Sequence, residues 1–343
     1  MTKEETTQAK GLAILLMLFL HLFNHDDSFV SLVNVGSIPL VRIMARACNP
    51  VAFYLILGGM GLYIVWEKGH GTVLDNAKRI LRLYSHYWVI LILFVTVGYF
   101  INSAKYPGGG IKVLVNLIAY DTSYNGECWF LLPYALLSLT APLLFIITEK
   151  VNWKIVLSVT FVINICTSFI ISRYGEKYLY HNMLIYNPLL YFHLMFSFML
   201  GATVVRTNAL DAIFNFSKRL LRNSALRWLT VVLLFILPCI ISLKVFYSFY
   251  ALAMIVAFTI APKSEIVSRS FTCLGKHSMN MWMIHTWFSS YLFHGFIYGF
   301  KYPAAIFLML LLVSLGTSLV VNSVFSLSSL IYSRIANKTD ETH

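Results

Sequence analysis

A chain of 343 residues that is 59% hydrophobic and only 12% charged carries more apolar surface than a soluble core of that size can bury. It reads as an all-α, polytopic transmembrane helical bundle forming one domain across 1–343, because no hydrophilic stretch is long enough for a core of its own. The formal net charge of +12 suits contact with anionic lipids and makes nucleic acid an unnecessary partner.

Apolar runs long enough to cross the hydrocarbon layer, roughly 17–25 residues each, predict ten helices. They fall at 10–26, 47–66, 84–103, 127–147, 154–172, 184–205, 228–243, 245–261, 278–298 and 304–331, the seventh and eighth meeting around Lys244. Lys and Arg resist translocation and collect on the cytoplasmic side. With both termini placed there, eighteen of the 26 basic residues fall inside, as expected for a multi-pass protein of the plasma membrane. Residues 1–9 mix acids with Lys3 and do not resemble the start of a cleavable signal. The five cysteines show no CxxC pairing and read as small apolar packing groups, with one bridge between Cys48 and Cys128 conceivable.

In chain order, the first feature with chemical meaning is Lys10 followed by His21, an imidazole about 16 Å further along a helix. A histidine at that depth costs desolvation energy and is expected to face other helices or a wet cavity. His25, Asp26 and Asp27 follow in HLFNHDD; a metal site on His21 and His25 is weighed against solvated loop residues, and no metal is expected. Gly58, Gly59 and Gly61 predict close helix approach. Arg79 and Arg82, with Lys78 beside them, share a helix face and read either as positive-inside anchors or as a clamp for the phosphates of a cytosolic cofactor. Glu127 and Trp129 open the fourth span at the outer interface, where the carboxylate is read first as a solvated helix-start group and second as a sugar contact. His193 reads as an interhelical hydrogen-bonding residue. His285 stands about 11 Å past Ser278, at a level where it can meet His21.

Taken together these pieces resemble the acyltransferase-3 family of membrane proteins, whose members acylate surface glycans. The resemblance rests on Lys10 and His21 with ten residues between them, on FYLILGGMGLYIVW, and on Arg79 and Arg82. It rests further on Trp129-Phe130-Leu131 with Pro142 downstream, and on Leu274-Gly275 running to Ser278, Trp282 and His285. The chain departs from the pattern at Lys10, where Arg is usual, in lacking a serine within the glycine stretch, at Trp282 in place of Tyr, and at Tyr134 in place of a glutamate. The resemblance implies acyl-CoA, most often acetyl-CoA, as donor, and the hydroxyl of a glycan or lipid-linked sugar as acceptor. A capsule or exopolysaccharide is favoured over peptidoglycan because the soluble transfer domain of larger members is missing; either the membrane domain reaches the acceptor itself or a separate extracytoplasmic protein does.

On this reading His21 is the general base, kept neutral by burial. His285 donates to the developing oxyanion, and Lys10, Arg79 and Arg82 hold the phosphates of the donor. The competing readings are a secondary transporter or flippase, with the histidines lining a path, and a noncatalytic partner of a surface-polymer machine. No internal repeat favours the transporter.

Overall fold

The computed structural model describes residues 1–25, 28–241 and 244–340, with side chains as far as 326. Asp26, Asp27 and the side chains of Arg334 and Lys338 lie outside the described residues. The chain is 81% helical. Its helices are α1 (Lys3–Phe23), α2 (Leu40–Ala47), α3 (Pro50–Glu67), α4 (Val73–Ile101), α5 (Gly110–Leu117), α6 (Leu131–Lys150) and α7 (Trp153–Tyr174). They continue as α8 (Met183–Arg206), α9 (Ala209–Leu220), α10 (Ser224–Ile240), α11 (Tyr247–Ile260), α12 (Glu265–Thr286), α13 (His294–Tyr298) and α14 (Pro303–Asp340). One antiparallel ladder, Asn34–Val35 with Ile38–Pro39, precedes α2.

Each of the ten predicted spans falls on a helix. Among the described residues seven stretches, against the ten predicted, are long and apolar enough to cross a membrane: α1, α2 with α3, α4, the turn at Gly126 with α6, α7, α8 and the first part of α14. Helices α9 and α10 pass that test as a pair bent by 118°, and α11 is a shorter apolar helix. Helix α10 ends before Lys244 and α11 begins after it, so the seventh and eighth predicted spans stay separate.

Two boundaries differ from the sequence reading, each for a local reason. Helix α4 starts at Val73 because Thr72 and Asp75 close a reciprocal capping box, so the helix extends well before the apolar run and carries Arg79 and Arg82 on its first turns. Helix α12 starts at Glu265, where the Ser264 side chain accepts from the Val267 amide. Its polar first half hides it from hydropathy. The predicted ninth span also breaks after Thr286 into a π-helical turn, Trp287–Tyr291, and then α13.

The bundle's tightest crossing sets the site. Helices α1 and α12 run side by side with Gly11 and Gly275 facing each other, each lying against the carbonyl one turn before the other glycine. A Cβ at Gly11 would stand 2.2 Å from the Phe271 oxygen, and one at Gly275 only 1.8 Å from the Thr7 oxygen. Contact of this closeness excludes any side chain. The Gln8 amide donates to Ser268 Oγ at 2.7 Å and fixes the register. Helices α3 and α8 repeat the device: Cβ atoms at Gly59 and Gly201 would meet the Phe198 and Ile56 carbonyl oxygens at 2.0 and 2.1 Å.

Gly275→Ala is therefore expected to force α1 and α12 apart, with the overpacking cost of about 1–3 kcal/mol visible as a lower melting temperature in detergent. Gly316→Ala, where a Cβ meets nothing within 4 Å, should match or slightly exceed the unmodified protein, since helical Ala is favoured over Gly by roughly 0.5–1 kcal/mol. Equal melting of the two variants would refute the crossing.

Candidate active site

The α1–α12 pair brings its two histidines together in the last turn of each helix. The rings of His21 and His285 lie 5.0 Å apart between centroids, tilted by 49°. Counted from the helix starts at Lys3 and Glu265 rather than from Lys10 and Ser278, both stand about 27–30 Å along. They therefore sit near the ends opposite Lys10, not midway.

A third ionisable group completes the cluster. Glu127 Oε2 stands 3.5 Å from His21 Nε2. The carboxylate is not the solvated helix-start residue expected from sequence; its side chain is 32% exposed and that of His21 14%. The turn that carries it is pinned to α12 and the segment after it. Asn125, 2% exposed, donates to the Met283 carbonyl at 3.0 Å and accepts from Thr286 Oγ1 at 2.7 Å. The Gly126 amide donates to the Tyr291 hydroxyl at 2.7 Å, and Trp282 Nε1 donates to the Glu127 carbonyl at 3.2 Å. These bonds hold a carboxylate against an imidazole.

Hydrogen bonding decides which nitrogen of His285 is available. His285 is fully buried, and its Nδ1 faces the carbonyls of Trp282 at 2.7 Å and Met281 at 3.2 Å. Carbonyls only accept, so Nδ1 holds the proton of the neutral ring and Nε2 presents a lone pair. That Nε2 is buried with no hydrogen-bond partner among the described residues. In this neutral tautomer Nε2 is an acceptor, and donating to an oxyanion requires the ring to carry a second proton. For His21, Glu127 faces Nε2 at ion-pair distance; a carboxylate accepting from Nε2–H leaves Nδ1 as the free ring nitrogen.

The cationic residues gather elsewhere. A cavity of about 240 Å³ is lined by Lys10, Asn76 and Arg79 together with Tyr54, Tyr134, Ser138 and Ser278. Asn76 is buried and donates to the Ser138 carbonyl at 2.9 Å, fixing α4 to α6. Arg82 does not line this cavity and is exposed. A spacing of three leaves two helical residues about 60° apart, enough for one guanidinium to reach the cavity and the other to miss it. Tyr134, at the position of the missing glutamate, lies against Gly58, where a Cβ would approach its ring to 3.2 Å.

Neither histidine lines the cavity; its walls include Phe130 and Trp282 instead. These rings meet edge to face, 5.5 Å between centroids. Trp282 is the partition: its indole borders the cavity, its N–H serves the Glu127 carbonyl, and its own carbonyl holds His285. The histidine pair is thus separated from the cationic cavity by an aromatic layer of Trp282 and Phe130. A family model for an acyltransferase domain matches residues 7–323, spanning the cluster, the partition and the cavity alike.

The chain belongs to the acyltransferase-3 family. No curated protein and no solved structure matches it. Membership assigns acyl transfer to a multi-pass membrane protein, and every group named above lies within the matched range.

Other residues singled out in the sequence stand apart from this acyltransferase cluster. His25 is exposed and bonded to Asn24 at 2.8 Å, and no group of three metal-ligating side chains occurs among the described residues. Cys48 and Cys128 are buried free thiols. His193 bonds within the α7–α8 contact. Glu127 was the site member hardest to find: its signal is a carboxylate placed two residues before Trp129 at the head of an otherwise apolar segment.

Proposed function

We propose that the protein transfers an acyl group, acetyl first among candidates, from acyl-CoA on the cytoplasmic side of the plasma membrane to a hydroxyl of a cell-surface or lipid-linked glycan. The observation that carries this reading is a carboxylate-oriented imidazole, His21 on Glu127, one aromatic layer away from a cavity holding Lys10 and Arg79. At about 240 Å³ that cavity is smaller than the roughly 300–1,000 Å³ of pockets that enclose drug-sized ligands. It suits the narrow thioester-bearing arm of the donor, with the phosphates held by Lys10 and Arg79 at its cationic end.

The acceptor hydroxyl is a poor nucleophile near pH 7 and loses its proton to His21 Nδ1 as its oxygen attacks the thioester carbonyl. The C–O bond forms, the C–S bond breaks, and the thiolate of CoA leaves with the proton returned from imidazolium. Glu127, 3.5 Å from Nε2, stabilises that imidazolium. Access of the thioester to His21 requires the Trp282–Phe130 layer to part.

Titration of the purified protein with acetyl-CoA, read as a thermal shift, tests the donor half. Arg79→Ala should weaken the apparent affinity about ten- to hundred-fold, as expected when a charge-assisted hydrogen bond of roughly 1.5–3 kcal/mol is lost. Arg82→Ala should leave it within a few-fold. An unmodified protein that shows no shift with acetyl-CoA, and cells whose surface glycan carries the same acetyl content with and without it, would end the proposal.

A further inference from the structure

A second cavity, of about 460 Å³, opens among α3, α7, α8 and α11 and is lined by Asn164, Ser168, His193, Ser197, Ser248 and Trp129, among others. Polar side chains this dense inside a membrane bundle are costly unless they meet one another, water or a polar ligand. Only part of their capacity is used internally. Asn164 donates to the His193 carbonyl at 2.7 Å. His193 Nδ1 lies 3.3 Å from both the Thr167 and Ser168 hydroxyls, and Ser197 pairs with Ser248 at 2.6 Å. His193 Nε2 has no hydrogen bond among the described residues. A lipid tail would pack on Leu55, Ile171 and Leu194 but leave these polar groups unpaired, whereas a ligand with both hydroxyls and a C–H face matches the whole wall.

The charge pattern narrows the ligand. The lining holds no carboxylate and no guanidinium, and its one ammonium, Lys244, is exposed at the rim. That gives a cation no counter-charge and leaves no clamp for a nucleotide. Amide, hydroxyl and imidazole groups beside the indole of Trp129 match a sugar, whose hydroxyls need both donors and acceptors and whose C–H face packs on an aromatic ring.

Its location adds the decisive argument. Within one short turn, Glu127 meets His21, Trp129 lines this cavity, and Phe130 lines the cavity of Lys10 and Arg79. Helix α3 divides the two in the same way, with Leu55 on one side and Gly58 on the other. We propose that the α3–α7–α8–α11 cavity seats a neutral, hydroxyl-rich sugar residue of the acceptor, on the opposite side of the Glu127–Phe130 turn from the donor. This rests on the acyl-transfer reading above and names the chemistry of the second substrate.

The test uses the full chain expressed in cells that make the native glycan, with the acyl content of that glycan as readout, alongside the acetyl-CoA thermal shift of each purified variant. His193→Phe removes the polar lining, and Ser172→Phe fills the cavity from its exposed rim without touching the hydrogen-bonded network. Both should lower acyl content about ten-fold or more while retaining the donor-induced shift, and His193→Gln should recover most of the loss. Unchanged acyl content in Ser172→Phe and His193→Phe would overturn the inference. So would loss of the donor shift together with acyl content in both, which would mark the region as structural. If His21→Ala also leaves acyl content unchanged, the acyl-transfer reading itself has failed; if His21→Ala abolishes it while the cavity variants do not, only the sugar seat has.

Discussion

His21→Ala is expected to lower acyl transfer to the surface glycan by about 10²–10⁴-fold, the usual contribution of a positioned general base, or roughly 2.7–5.4 kcal/mol of barrier. The acetyl-CoA thermal shift should persist, because Lys10 and Arg79 border a different compartment from the one the imidazole occupies. Glu127→Gln keeps the shape of the side chain 3.5 Å from Nε2 but removes the charge that stabilises imidazolium. Its amide also presents a donor as readily as an acceptor, so the ring's orientation loosens. A loss smaller than that of His21→Ala is expected, with donor binding intact. Mass analysis of the released acceptor at matched membrane levels reads both variants. Wild-type acyl content in the His21→Ala strain would remove the base from the mechanism and with it the meaning of the Glu127 contact.

The helices were legible where hydropathy and helix identity coincide. Helix α7 and the first part of α14 are apolar along their length and surrender their position to any transfer scale. Helix α12 did so only in part, because Glu265, Arg269, Lys276 and His277 interrupt it, and it is held as helix by a cap and by the glycine crossing with α1. The meeting of His21 with His285 followed from helical rise along two parallel segments. Their level did not, because both distances were counted from residues inside a helix rather than from its start.

Glu127 was legible as a residue and not as a site member, since a carboxylate heading a helix is already explained by the dipole. Only the tertiary bonds of Asn125, Gly126 and Trp282 turn it toward α1. Arg79 and Arg82 are indistinguishable in one dimension, and the shape of a cavity wall separates them. The partition is a matter of side-chain volume where the Gly126–Phe130 turn meets α12, which no local pattern encodes.

That partition yields the last large effect. Trp282 is 7% exposed and stands between the cavity of Lys10 and Arg79 and the imidazoles, so on the proposed mechanism it governs when water or acceptor reaches the thioester. Trp282→Ala risks the roughly 3–5 kcal/mol lost when a buried aromatic ring is deleted. Trp282→Leu keeps an apolar filling while dropping the indole N–H that holds the Glu127 carbonyl, and is the better probe. With the layer breached, acyl-CoA should be hydrolysed about ten-fold faster without acceptor, a barrier change of roughly 1.4 kcal/mol, because a dry compartment no longer protects the thioester. Transfer to glycan should fall at the same time, as Glu127 drifts from His21. Release of free CoA thiol, followed with and without acceptor-bearing membranes, separates the two rates. Hydrolysis as slow as in the unmodified protein, with transfer undiminished, would mean that the aromatic layer is packing alone and that the donor reaches the histidines by another way.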